Sequence, residues 1–167
     1  MVLTKSELIA ALRHEVKILL HLASKIEPVM LDYRPGAKQR SLLELLQYLV
    51  IFAPIHVRTI TAGDFNMDAW RAAWQAGEAT AKTMSLEDTK AAIGRHPALF
   101  EELISPCSDA VLRSEIEMFG SKASRGATLV SLVLCHYVAY RMQLFLYLKA
   151  CGRDELSTMN LWAGLDA

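Results

Sequence analysis

The chain has 167 residues, 53% of them hydrophobic and 22% charged, with 18 basic against 18 acidic side chains. Chains of roughly 100–200 residues usually build one core, so residues 1–167 read as a single domain that needs neither disulfide nor structural metal to fold. The zero net charge hides no charged tail, with ten basic and eight acidic residues over 1–83 and the reverse beyond, which removes the basic footprint that nucleic-acid binders use on phosphates.

The first helical signal is a capping box, Thr4 with Glu7, in which each side chain satisfies an orphan amide at the other's end. Leu8, Leu12, Val16, Leu19, Ala23 and Ile26 follow at three- and four-residue steps, the apolar face of a helix that stops before Pro28. His14 and His21 fall about 200° round from Leu12 and Leu19 at ~100° per residue, on a stripe shared with Lys17 and Lys25 that reads as solvated. Acidic Glu7 and Glu15 break up what would be an export signal. Asp32 to Arg40 is a loop punctuated by Pro35-Gly36, and its cations Arg34, Lys38 and Arg40 cluster ahead of the Ser41 helix N-terminus, where an anion could bind, although three exposed loop cations more often read as solvated.

A second capping box, Ser41 with Glu44, opens a helix with Leu42, Leu45, Leu49 and Phe52 on its apolar face. Pro54 is expected to kink this helix without ending it, and His56, one turn past Phe52, fits a buried, hydrogen-bonded imidazole. Gly63 to Asn66 breaks the pattern ahead of a short helix around Trp70 and Trp74. Ser85 and Asp88 cap a helix carrying Leu86, Ile93, Phe100 and Leu103, which Pro97 should bend or split, placing His96 in a turn or capping role. Val111 to Phe119 alternates with a period near two and reads as an extended connection.

The last long helix is expected from about Thr128 to Cys151, ending at Gly152, the residue that most easily takes the left-handed C-cap. Leu129, Val133, His136, Tyr140, Leu144 and Tyr147 should line one face and Val130, Leu134, Tyr137, Arg141 and Phe145 another. A helix apolar nearly all round is covered on more than one side, which predicts a homodimer with this helix at or near the interface. Arg141 should find a carboxylate or carbonyl partner. No apolar run reaches the ~18–20 residues of a membrane span, because Gln47, His56 and Arg58 bound one stretch and Arg141 interrupts another. Cys107, Cys135 and Cys151, odd in number and without a CxxC spacing, fit a reducing cytoplasm.

GxSxG, GxxxxGK[ST], HExxH and GxGxxG are all absent from the sequence, leaving nucleophile-elbow, P-loop, zincin and dinucleotide-binding chemistry without their minimum residues. His136 stands out, because Tyr140 one turn on projects beside it. The Arg34-Pro-Gly36 loop, the segment Ser41-Leu-Leu-Glu-Leu-Leu-Gln-Tyr-Leu49, and His136-Tyr-Val-Ala-Tyr-Arg-Met-Gln-Leu144 with Tyr147-Leu148 and Gly152 resemble the DinB-like (YfiT-like) superfamily in order and spacing over most of the chain.

The resemblance implies an all-α, up-down four-helix bundle with extra short helices, commonly dimeric, in which three histidines hold a divalent metal such as zinc or nickel. It places Tyr48 and Tyr140 where two of those histidines belong and keeps only His136. Phenols, with an ordinary pKa near 10, must lose a proton before they bind a metal well. His56 lies eight residues beyond Tyr48, about 12 Å along the helix, and Cys151 about 16 Å beyond Tyr140, so neither restores the triad. The expectation is a degenerate metal site with Tyr48, His136 and Tyr140 in a hydrogen-bonded core cluster, on a small-molecule-binding or noncatalytic dimer without cofactor. If a metal binds, His136 is its first ligand. The competing readings are a metal-dependent thiol transferase or hydrolase using His136 with Tyr48 and Tyr140, and a purely structural interaction module.

Overall fold

The computed structural model describes residues 3–166. Helix α1 (Lys5–Ala23) begins at the Thr4/Glu7 capping box, and α2 (Leu42–Ala62) at the Ser41/Glu44 box. Between them lies a single 3₁₀ turn, Pro28–Met30. Helix α3 (Met67–Ala81) is longer than the short segment expected around the tryptophans and is capped by Asn66. Helices α4 (Leu86–Gly94) and α5 (His96–Ile104) are one apolar stripe split ahead of Pro97, with the Ser85/Asp88 box in place.

Helix α6 (Asp109–Arg113) and an antiparallel hairpin of β1 (Glu115–Met118) and β2 (Ser121–Ser124) follow. Extended backbone thus begins at Glu115, while Val111 to Arg113 are helical, a correction to the start of the predicted connection. Ile116 and Met118 are buried and Glu115 and Glu117 exposed, the alternation expected of a strand with one face on the core.

The last long helix is α7 (Arg125–Thr128), a π-helical stretch Leu129–Leu134, and α8 (Cys135–Ala150), with Gly152 just beyond its end at φ +91°. The C-terminal helix α9 (Thr158–Trp162) lies against α1 and α8. One cluster of buried apolar side chains joins α1, α2, α4–α5 and the last long helix, so the fold is all-α apart from the hairpin.

Helix α2 runs through Pro54, which supplies no amide for the Val50 carbonyl one turn back. The ring of His96 takes that carbonyl, so the histidine at the Pro97 break caps a gap in a different helix. Arg141 also finds its partner, Glu15 of α1, at 3.2 Å in a buried ion pair, with Trp162 over its guanidinium. The His14–His21 stripe is less solvated than expected. Residues 160–166 lie along it, with the His21 ring 3.1 Å from the Asn160 amide and the Lys25 ammonium 2.6 Å from Asp166.

The apolar-run expectation is also corrected. Leu42–Ala62 and Arg125–Ala150 are long and apolar enough, by length and composition, to cross a membrane. Of their most apolar windows, 56% is buried in the first and 28% in the second, so the last long helix keeps a largely uncovered side.

Candidate functional site: an aromatic column at the meeting of three helices

The sequence pattern predicted His136 and Tyr140 on the same face as Leu129, Val133, Leu144 and Tyr147; those four are buried, but between them the buried residues are Tyr137 and Arg141, followed by Leu148 at the end. The π-helical stretch accounts for the difference. Its i→i+5 hydrogen bonds take one more residue per turn, so the face toward α1 passes to Tyr137. His136 and Tyr140 are turned to the flank, toward α2 and α3.

There they meet residues projected by two further i,i+4 series. Helix α2 contributes Tyr48, Phe52 and His56, and α3 contributes Trp70 and Trp74. The rings form a column. His56 stacks on Phe52 at 4.2 Å between centroids, Phe52 on His136 at 3.5 Å, His136 on Tyr140 at 4.6 Å and Tyr140 on Tyr48 at 5.0 Å. Trp74 sets its edge against Tyr48, Phe52 and His56. Helix α3 approaches closely because residue 77 is glycine: a Cβ there would sit 3.1 Å from Ile51 Cγ2. At the far end the hairpin tip, Phe119 at φ +52°, packs on Trp70 and Phe65. A phenylalanine with positive φ is strained, and with Gly120 at φ +77° it forms the paired left-handed turn that a two-residue hairpin needs.

Polar contacts lock the column. The Tyr48 hydroxyl lies 2.9 Å from His136 Nε2, and His56 Nδ1 lies 2.8 Å from the Phe52 carbonyl. Arg40 is exposed, as expected of a loop cation, and it lays its guanidinium 3.9 Å over the Tyr48 ring and donates to the Tyr140 hydroxyl at 3.3 Å. Its backbone carbonyl accepts from Tyr147 at 3.3 Å. Burial, reinforced by the neighbouring His56 and Arg40, lowers His136 to about 4. Burial followed by the presence of Tyr140 pushes Tyr48 well above the ordinary phenol value. Both groups are therefore neutral at pH 7, and the geometry suits a phenol donating to an unprotonated ring nitrogen.

This donor set does not fit a divalent ion of the kind the three-histidine pattern would hold. The phenol proton of Tyr48 is held more tightly than usual, and its oxygen already lies on the imidazole nitrogen that would face the ion. His56 is tied to its own helix, and the Phe52 ring lies between it and His136. Among the described residues no three His, Cys, Asp or Glu side chains gather as a metal would require.

A cavity of about 330 Å³ opens beside the column between α2 and α3, walled by Tyr48, Ile51 and Trp74 and rimmed by Arg40, Gln47 and Lys82 among others. Sequence reasoning reached Tyr48, His136 and Tyr140, and the structure brings all three together. It placed Phe52 only on the apolar face of α2, Trp74 only in a short helix and Arg40 only among the loop cations, and it joined none of them to the three site residues. The i,i+4 spacing of Tyr48, Phe52 and His56, and of Trp70 and Trp74, was the available signal that each helix carries an aromatic stripe.

No family model and no curated protein matches the sequence. The fold is similar to the crystal structure of a DinB-like protein, YjoA, from Bacillus subtilis, with a TM-score of 0.67 over 90% of this chain and 94% of that one, at 19% sequence identity. A likeness of that extent at that identity speaks for architecture: the chain is an all-α bundle with the DinB-like fold.

Proposed function

We propose that the chain is a metal-independent small-molecule-binding protein, with Tyr48 on the wall of its cavity and His136 and Tyr140 packed behind that ring. The observation that carries this reading is the 2.9 Å contact between Tyr48 and His136, which closes the column where a metal would enter, beside an accessible cavity. Buried phenols and imidazoles need partners, and here they supply one another. The neutral pair is preformed, so binding would not require it to reorganise.

Metal analysis of untagged protein tests the reading. Zinc or nickel is expected far below one equivalent per chain, while the double variant Tyr48→His with Tyr140→His should gain stoichiometric metal. One equivalent in the wild-type protein would overturn it.

The same reading includes a cytoplasmic homodimer. Val138, Met142 and Leu146 recur at i,i+4 on the outer side of α8 and are exposed, Leu146 at 56%. A second copy would remove this stripe from water across a two-fold axis, and the three cysteines are free thiols, as a reducing compartment allows. Sedimentation at micromolar concentration should return a dimer that Leu146→Glu dissociates. A monomeric wild type would sink the dimer.

A further inference from the structure

Resting on the small-molecule reading, we propose that the α2–α3 cavity takes a small aromatic carboxylate, its ring against Trp74 and its carboxylate on Arg40. The cavity has the size of a small-molecule site, at the lower end of the usual range of ~300–1,000 Å³. Its inner wall is apolar and aromatic, from Tyr48, Ile51, Trp74 and Ala81, and its charges lie on the rim.

Two cations and two carboxylates stand on that rim, and they are not equally satisfied. Lys82 pairs with Glu78 at 3.3 Å, and Glu44 pairs with Arg34 of the preceding loop at 3.4 Å. Arg40 is left as the rim charge that makes no ion pair among the described residues. Its guanidinium rests on the Tyr48 face and donates to the Tyr140 hydroxyl, while the Tyr147 hydroxyl holds the Arg40 backbone carbonyl. A guanidinium held on an aromatic face presents its remaining N–H groups in a planar fork, which matches a carboxylate. These two side-chain contacts lower the ordering cost that a ligand has to meet. A neutral ligand would leave the fork unused, and an aliphatic acid would leave the Trp74 ring without a stacking partner.

The probes are 2-naphthoate and its neutral counterpart 2-naphthamide, titrated into the full-length protein and followed through the Trp74 indole N–H signal by NMR. The acid is expected to bind at least about tenfold more tightly than the amide. Arg40→Gln should erase that preference by weakening the acid, Lys82→Gln should keep the preference within about twofold, and Trp74→Ala should weaken both probes. Equal binding of acid and amide that Trp74→Ala weakens and Arg40→Gln does not would overturn the carboxylate assignment while leaving the small-molecule reading standing. Absence of binding by both would overturn the assignment and count against that reading too. The metal content of the same samples separates the remaining case: Arg40-dependent naphthoate binding by a protein carrying one equivalent of zinc keeps the carboxylate site and removes the metal-independent reading.

Discussion

Two histidine–tyrosine pairs lie in this bundle, and they differ in what surrounds them more than in their own chemistry. His96 Nδ1 lies 2.5 Å from the Tyr137 hydroxyl, with the two residues 3% and 1% exposed. His136 Nε2 lies 2.9 Å from the Tyr48 hydroxyl in a half-buried setting. Burial lowers both imidazoles to about 4. The first pair has every polar atom committed to the fold, including the ring nitrogen that takes the Val50 carbonyl. The second shares its tyrosine with the wall of a cavity and its neighbourhood with Arg40. A perturbed titration therefore does not by itself distinguish a structural pair from a site; access and an unspent charge nearby do.

The largest expected effect breaks the comparison on the structural side. Replacing His96 by leucine leaves the Tyr137 hydroxyl and the Val50 carbonyl buried without partners, and stranded groups of this kind cost about 1–3 kcal/mol each. His96→Leu should lower unfolding stability by about 2–4 kcal/mol in urea titrations. His136→Leu leaves Tyr48 beside a solvent-reaching cavity, where water can replace the lost acceptor, and should cost about 1 kcal/mol or less. Equal losses would show that the two pairs do the same work.

The contrast also shows why some features were legible in the sequence and others were not. Capping boxes at Thr4, Ser41 and Ser85 are local chemistry, written in four residues each, and they placed three helix starts. Arg141 was readable as needing a partner because an arginine on an apolar helix face has few alternatives, although Glu15, 126 positions away, could not be named. The faces of the last long helix were misplaced because the π-helical stretch changes the period within an unbroken apolar run, and residue spacing is read on the assumption of one period. Arg40 is exposed, as a loop cation reads, but its contact with the Tyr48 ring depends on how the loop folds back and is not written in residue spacing.

Acid sharpens the comparison with a smaller effect. An imidazole whose folded-state pKa is about 4, against an ordinary value near 6.5, binds protons in the unfolded state before it does in the folded one. Its contribution to stability is complete above pH 6.5, is lost as pH falls through the interval, and stops changing below about 4. Over pH 6.5 to 5 the sealed His96 should account for a loss of about 1.6 kcal/mol, its slope rising toward ~1.4 kcal/mol per pH unit, while Glu15, raised chiefly by burial, acts in the opposite direction. His56, lowered chiefly by burial, acts in the same direction as His96, and the half-exposed His136 should contribute less because water screens its imidazolium. Unfolding midpoints measured across that interval should therefore flatten markedly in His96→Gln and only slightly in His136→Gln. The reverse order would mean that the aromatic column, not the seam capped by His96, is the part of the bundle most closed to water.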